Sequence, residues 1–230
     1  MTSLPLISFD AVSVDFAGRT ALRDVSIVLH QRRIGVIGSN GSGKSTFARM
    51  LNGLVSATSG TVRVHDLDAA RQAKQLSRKV GFVFSNPDAQ IVMPTVAEDV
   101  AFSLRGRGLS RTEVDDRVAS TLQTYGMSDH ADAPAHSLSG GQKQLLALCA
   151  ILIGRPDLVV ADEPTALLDA ANTRRIGNHL LDDLEQQLVL VTHDLRLAAR
   201  CDVVLRFDEG RLVESGDPTS VIERYEREHA

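Results

Sequence analysis

Disulfides, membrane spans, a basic excess and internal repeats are all missing from this chain, and each absence narrows what it can be. Its 230 residues include two cysteines, Cys149 and Cys201, far apart and without the spacing of a metal-binding pair. That usage sets aside a disulfide framework, fits a reducing compartment and leaves Cys149 as a packing residue. The longest apolar run, Leu145 to Ile153, is about half of what crossing a bilayer takes, so any membrane connection has to come through a partner. A formal net charge of −4 argues against a protein that coats nucleic acid, since such proteins carry a basic excess. Met1-Thr2-Ser3-Leu4-Pro5 holds neither the charged segment nor the apolar core of a secretory leader, and the mature chain is expected to start there. With 43% apolar residues, the chain can bury a self-sufficient core, either as one large domain or with a smaller lobe inserted.

What is present begins with Gly38-Ser39-Asn40-Gly41-Ser42-Gly43-Lys44-Ser45, which fits the pattern G-x-x-x-x-G-K-[ST]. It follows the apolar run Ile34-Gly35-Val36-Ile37, so a strand feeds a glycine loop that opens a helix. Glycines let backbone N–H groups turn inward around phosphate oxygens, and the helix start adds a favourable partial charge for anions. Lys44 can then reach the terminal phosphates, and Ser45 is placed to ligate magnesium.

Three further stretches carry chemistry. Leu158-Val159-Val160-Ala161 runs into Asp162-Glu163, which puts two carboxylates at the carboxyl edge of a sheet, where open α/β folds bind ligands. There Asp162 would hold magnesium, and Glu163 would polarise the water that attacks a terminal phosphate. Standing alone, the pair would simply terminate a strand. His193 follows Leu188-Val189-Leu190-Val191-Thr192 and so lies at another strand end, placed to hydrogen-bond a phosphate and position water. Leu138-Ser139-Gly140-Gly141-Gln142 precedes an apolar helix and makes a second anion-receptive helix start. Taken alone it is a plain helix cap. Beside a glycine loop that already encloses its own phosphates, it points toward a phosphate bound to a second copy.

The strand signal comes in two kinds. Ile7 through Val14, Val25 to Leu29 and Thr61 to Val64 read as short strands split by turns at Ala17-Gly18-Arg19 and Ser59-Gly60, an antiparallel edge sheet. Ile34 to Ile37, Val80 to Phe84, Leu158 to Ala161, Leu188 to Val191 and Val203 to Leu205 are compact apolar runs, as buried parallel strands are. Between Ser85 and about Gly154 strands give way to helices: Thr95 to Leu104, one opened by the capping box Ser110-Arg111-Thr112-Glu113, and Lys143 to Ile153. The Arg105-Gly106-Arg107-Gly108 turn between them reads as a solvated basic turn. A last helix, opened by Asp217-Pro218-Thr219, either joins subunits or closes the fold.

Assembled in this order, the residues make the chain resemble the nucleotide-binding subunit of ATP-binding-cassette (ABC) transporters over essentially its whole length. The resemblance implies an α/β fold: a P-loop NTPase core with an antiparallel β edge subdomain and an inserted α-helical subdomain. It implies a single ABC ATPase domain over 1–230, with core and β edge in about 1–84 and 155–230 and the helical lobe in about 85–154. It makes Gly38 to Thr46 the phosphate loop, Leu138 to Gln142 the family signature, Asp169 the inter-subunit contact loop and His193 the switch histidine. Phe16 takes the place of the aromatic that stacks on adenine, although a core aromatic ending an edge strand would look the same. ATP and Mg2+ are the implied cofactors.

Ser85-Asn86-Pro87-Asp88-Ala89-Gln90 resembles the subgroup serving energy-coupling-factor importers of vitamins and metal ions, where this segment contacts a transmembrane coupling protein; in an unrelated chain it would be an Asx-Pro turn. Ile91-Val92-Met93-Pro94 and His136 are most similar to the biotin-type members. Three places depart from the pattern. Ser85 stands where the family places a loop glutamine, with Gln90 nearby but out of register. Leu145 stands where arginine is common, and Ala166-Leu167-Leu168 replaces the usual small-residue approach to Asp169. The expected protein is an ATP hydrolase on the cytoplasmic face of the membrane, working as a pair, most simply a homodimer, beneath a transmembrane coupling subunit and a substrate-binding membrane protein. The other readings are a soluble ABC ATPase of cofactor assembly and a nucleotide-dependent binding module without efficient hydrolysis.

Overall fold

Apolar runs flanked by glycine fold into two sheets in a computed structural model, which describes residues 6–16 and 18–229. The expected chain start at Met1 to Pro5, and Ala17 of the first turn, lie outside the described residues. In chain order the elements begin with β1 (Ile7–Phe16), β2 (Arg19–Leu29), β3 (Arg33–Gly38), α1 (Lys44–Met50), β4 (Ser59–Val64) and β5 (Leu67–Asp68). Then come α2 (Ala73–Lys79), β6 (Val80–Val83), α3 (Val96–Phe102), α4 (Arg111–Thr124), α5 (Gly140–Leu152) and β7 (Leu158–Asp162). The chain closes with α6 (Ala170–Asn178), β8 (Gln187–Val191), α7 (Leu195–Ala198), β9 (Val203–Asp208), β10 (Arg211–Gly216) and α8 (Pro218–His229).

The larger sheet has the order β10-β9-β3-β8-β7-β6, parallel throughout except for β10. Every residue of β3, β6, β7 and β8 is buried, which is why their sequences lack alternation. The smaller sheet, β2-β1-β4-β5, is antiparallel. Between the two lies α1. Its Phe47 stacks on Phe9 of β1 at 4.5 Å between ring centroids and tilts against Phe207 of β9 at 5.1 Å. Each such ring pair contributes about 0.5–1.5 kcal/mol beyond its buried area, so the helix that follows the glycine loop is clamped from both sides.

Two expected local features come out differently. Ser59-Gly60 is not a turn but the start of β4. Gly60 has φ +83°, and a Cβ there would lie 2.4 Å from the Ala11 carbonyl oxygen, so glycine serves a bulge opposite β1. Arg107 is not merely solvated: its Nη1 donates to the Gly154 carbonyl at 2.7 Å and ties the end of the lobe back to the sheet side. β10 was hidden in the sequence because its exposure alternates but its residues do not: Arg211-Leu212-Val213-Glu214 puts the apolar Val213 at an exposed position and offers one β-branched residue.

Capping boxes start all three main helices of the lobe, from Thr95 with Glu98, Ser110 with Glu113 and Ser139 with Gln142. The lobe shares its core with one sheet face: Val100, Leu122, Leu146 and Leu148 pack with Val159, Ala161, Leu188 and Leu190. Contact is closest at Gly81, where a Cβ would lie 2.2 Å from Ile151 Cγ2 of α5. Among the described residues no helix is long and apolar enough to cross a membrane.

Both thiols are buried, and burial pushes each pKa up to about 12. Thiolate, the reactive form, is therefore scarce at neutral pH. Native protein is expected to resist maleimide at Cys149 and Cys201, and denatured protein to take two labels by mass spectrometry; rapid labelling of the folded chain would contradict this packing.

Candidate functional site

The glycine loop joins β3 to α1 at the carboxyl end of the parallel sheet. Gly38 has φ +144°, and a Cβ there would sit 2.1 Å from the Phe207 carbonyl oxygen on β9; no side chain fits. Gly43 has φ +103° and would strike the Ala21 oxygen at 2.7 Å. Lys44 folds back over the loop, its Nζ donating to the Gly38 and Ser39 carbonyls at 2.8 and 2.7 Å. Burial lowers the Lys44 pKa from the usual lysine range, while the charges of Glu163 and Asp162 pull it back up. The Ser42 hydroxyl is buried and finds no partner among the described residues.

In front of this loop is a cleft of about 470 Å³ lined by Phe16, Arg19, Thr20, Ala21, Asn40, Gly41, Ser42, Gly43, Lys44, Ser45, Thr46 and Glu163. Half of the Phe16 surface is exposed, an apolar face on a polar cleft. Arg19 and Thr20 are wall residues that sequence reading missed, because nothing in their spacing shows that the β1–β2 hairpin folds over the loop. A larger hollow, about 730 Å³, lies at the opposite end of the sheet and holds none of the predicted residues. Its lysine is already paired, Lys79 with Asp157 at 3.2 Å.

Strand order brings the acids to the loop. Asp162 ends β7, only 5% exposed, and its Oδ1 accepts from Ser45 Oγ at 3.0 Å. Arg49 Nη2 lies 3.9 Å from the other oxygen. Glu163 then turns out of the strand with φ +53°, a left-handed conformation costing a non-glycine residue about 1–2 kcal/mol. Its backbone N–H donates to the Val191 oxygen at 2.9 Å, which holds the turn against β8. This conformation carries the carboxylate to His193, whose Nδ1 lies 2.7 Å from Glu163 Oε2 and whose backbone N–H donates to the same oxygen at 3.3 Å. An oxygen pair, a buried cation and a strained carboxylate thus meet at the cleft, and His193, which lines a neighbouring hollow with Thr165, Ala166 and Asp194, joins them through Glu163, a set able to grip phosphates and orient water.

Other predicted residues do not line that cleft. Ser85 is exposed, and Gln90 Oε1 accepts from the Phe84 N–H at 3.2 Å, which commits the nearby glutamine to its own backbone. The next peptide is held by Gln144 Nε2, which donates to the Phe84 oxygen at 3.4 Å. Leu138 is buried; Ser139 caps α5 by accepting from the Gln142 N–H, and Gln142 Nε2 lies 2.9 Å from His130 Nε2. Gly140 is open, but Gly141 abuts α6, where a Cβ would meet the Asn172 side chain at 2.3 Å. Asp169 accepts from the Asn172 N–H at 2.8 Å, and that bond holds its carboxyl below the usual range. The segment 138–142 therefore packs on α6 and is not part of the cleft lining in front of its own chain's glycine loop.

Known proteins share this sequence and this shape. Residues 22–166 match the ABC transporter family. A biotin transport ATP-binding protein, BioM, of Rhizobium etli is 42% identical over 95% of this chain and 97% of its own length. An energy-coupling factor transporter ATP-binding protein, EcfA1, of Lacticaseibacillus paracasei is 40% identical over 89% of the chain and 76% of its own. The structure of cbiO1 from Clostridium perfringens, part of the ABC transporter complex cbiONQ, superposes with a TM-score of 0.86 at 29% identity, over 96% of this chain and 92% of that one. On its sequence, its fold and the matched segment that spans the loop and the acids, the chain belongs to the ABC transporter family, as one of its ATPases.

Proposed function

We propose that this chain is the ATP-hydrolysing subunit of an energy-coupling-factor type importer, with biotin as the transported nutrient, and that it works as a pair at the cytoplasmic face beneath a transmembrane coupling subunit. The observation that carries the reading is the split of the site: Lys44, Ser45 and Glu163 line one cleft, with Asp162 bonded to Ser45 and His193 to Glu163, while Leu138 to Gln142 are not part of its lining. A second copy, turned by a two-fold rotation, would bring its own residues 138–142 to this cleft and take this chain's in exchange. The names of the 42% and 40% identical relatives support the importer class and the nutrient.

Within the cleft, Phe16 offers a face for adenine, and the loop N–H groups and Lys44 surround phosphate oxygens. Ser45 Oγ and Asp162 Oδ1, 3.0 Å apart, form a hard oxygen pair suited to Mg2+, which keeps most of its shell for water and substrate phosphate. When bound, the ion supplies neutralisation of charge on the phosphate oxygens. Glu163 orients and polarises the attacking water, and His193 holds the Glu163 carboxylate in place by two bonds to one oxygen. Ser139 and the open Gly140 of the partner copy close the far side. Asp88, Ile91, Val92, Met93, Pro94 and His136 surround a groove on the lobe, with Val92 62% exposed, and this is the seat for the membrane subunit.

Isolation of the native complex from detergent-solubilised membranes, followed by identification of its bound small molecule, tests the reading. Integral membrane partners and biotin are expected. Recovery with soluble partners only would replace the importer by an assembly ATPase.

A further inference from the structure

The bond between Glu163 and His193 has a second side. Glu163 is a wall of the cleft and His193 a wall of a separate hollow of about 460 Å³, so the 2.7 Å contact between them is where the two cavities meet. Their linings share no residue. The hollow's walls carry three arginines, Arg174 of α6, Arg196 of α7 and Arg200 just after it, against one carboxylate, Asp194.

Pairing among these charges leaves a surplus of cation. Arg196 takes Asp194 with a fork, Nε on one oxygen and Nη2 on the other, each at 3.1 Å. Arg200 Nη2 is held by groups outside the lining, Asn178 Oδ1 at 3.0 Å and Asp182 Oδ2 at 2.7 Å. The Arg174 guanidinium has no hydrogen-bond or ion-pair partner among the described residues. A planar guanidinium presents N–H donors in a fork that fits the oxygens of a phosphate, and a concavity with cations in excess raises the local concentration of anions. Such walls select an oxyanion.

We propose that the hollow beside His193 is a binding site for inorganic phosphate, which receives the ion leaving the cleft, with Arg174 supplying its unpaired charge. The source of the ion rests on the cleft reading above, which places cleavage at Glu163. Phosphate held there delays its own release. Filling the hollow from solution slows turnover without displacing ATP, because none of its residues belongs to the glycine loop.

Arg174 is exposed on α6, so replacing it removes a charge and leaves the core alone. Added inorganic phosphate is followed on the full chain in two ways, by phosphorus NMR line width without nucleotide and by inhibition of ATP hydrolysis. Arg174→Ala is expected to weaken both about fivefold with KM for ATP unchanged, the upper range for an exposed charge contact. Arg174→Lys keeps the charge and most of the binding. Line widths are also compared on a Lys44→Ala background, where the glycine loop no longer contributes; equal phosphate binding with and without Arg174→Ala there overturns the site. For the source, cleavage in a quenched single turnover is compared with free phosphate reported by a fluorescent phosphate sensor. Release is expected to trail cleavage in the parent, and Arg174→Ala to shorten that lag by the same factor. An unchanged lag beside weakened binding of added phosphate refutes the product route and leaves an anion site filled from solution. Undiminished turnover of Glu163→Gln protein overturns the cleft reading instead, and phosphate binding to nucleotide-free protein still decides the hollow.

Discussion

Turnover of the Glu163→Gln protein is expected to fall about 10²–10⁴-fold, the range in which a positioned base contributes to a proton-transfer step. The amide keeps the shape of the carboxylate and the left-handed turn at φ +53° is set by the backbone bond to Val191, so the fold is retained. What disappears is the anionic oxygen that now lies 2.7 Å from His193 Nδ1. An amide oxygen is a weaker acceptor and no base, so water in the cleft is neither polarised nor relieved of its proton. Binding is spared because phosphate contacts come from the loop and Lys44, and the uncleaved triphosphate keeps the pair closed. Phosphate release from purified protein and light scattering with ATP read the two halves of this expectation. Undiminished release would remove Glu163 from the chemistry.

The second large effect is at Lys44. Its ammonium bridges the Gly38 and Ser39 carbonyls and is the cation whose charge interacts with both Asp162 and Glu163. Lys44→Ala leaves two acids facing an incoming triphosphate without that cation. Removing one partner of a desolvated charge pair costs about 2–5 kcal/mol, so the Kd for ATP should rise on the order of 10²-fold. Stability of the nucleotide-free protein should change far less, since burial already disfavours the charged amine there. The rise in Tm that saturating ATP confers on the parent would then shrink, by up to about 2.7 kcal/mol of ligand stabilisation, because that stabilisation follows the logarithm of concentration over Kd. Calorimetric titration and thermal melts with and without ATP check both statements. An unchanged Kd would show that the loop backbone alone holds the phosphates.

Sequence reading reached far in this chain because its chemistry is written in contiguous words. A glycine loop needs its turn residues, lysine and serine within eight positions, and a carboxylate pair needs only a buried strand before it. Helix starts were equally plain, since a capping box acts over three residues, as at Ser110 and Glu113. Where reading stopped, long-range contact was at issue. Gln90 lies near the place of the loop glutamine but out of register, and where its side chain goes, back to Phe84, depends on how the 3-10 turn after β6 folds. Arg19 reaches the cleft only because β1 and β2 pair and fold over the loop.

Residue identity and local spacing thus named the groups proposed for phosphate chemistry. Strand pairing specified which of them meet. Ser45 and Asp162 lie 117 positions apart and Glu163 and His193 thirty, distances over which no local periodicity carries information. They touch because β3, β8 and β7 are neighbours in one parallel sheet whose strands all end on the same edge. The same packing leaves residues 138–142 outside the lining of that cleft, with their helix start docked on α6 through Gly141.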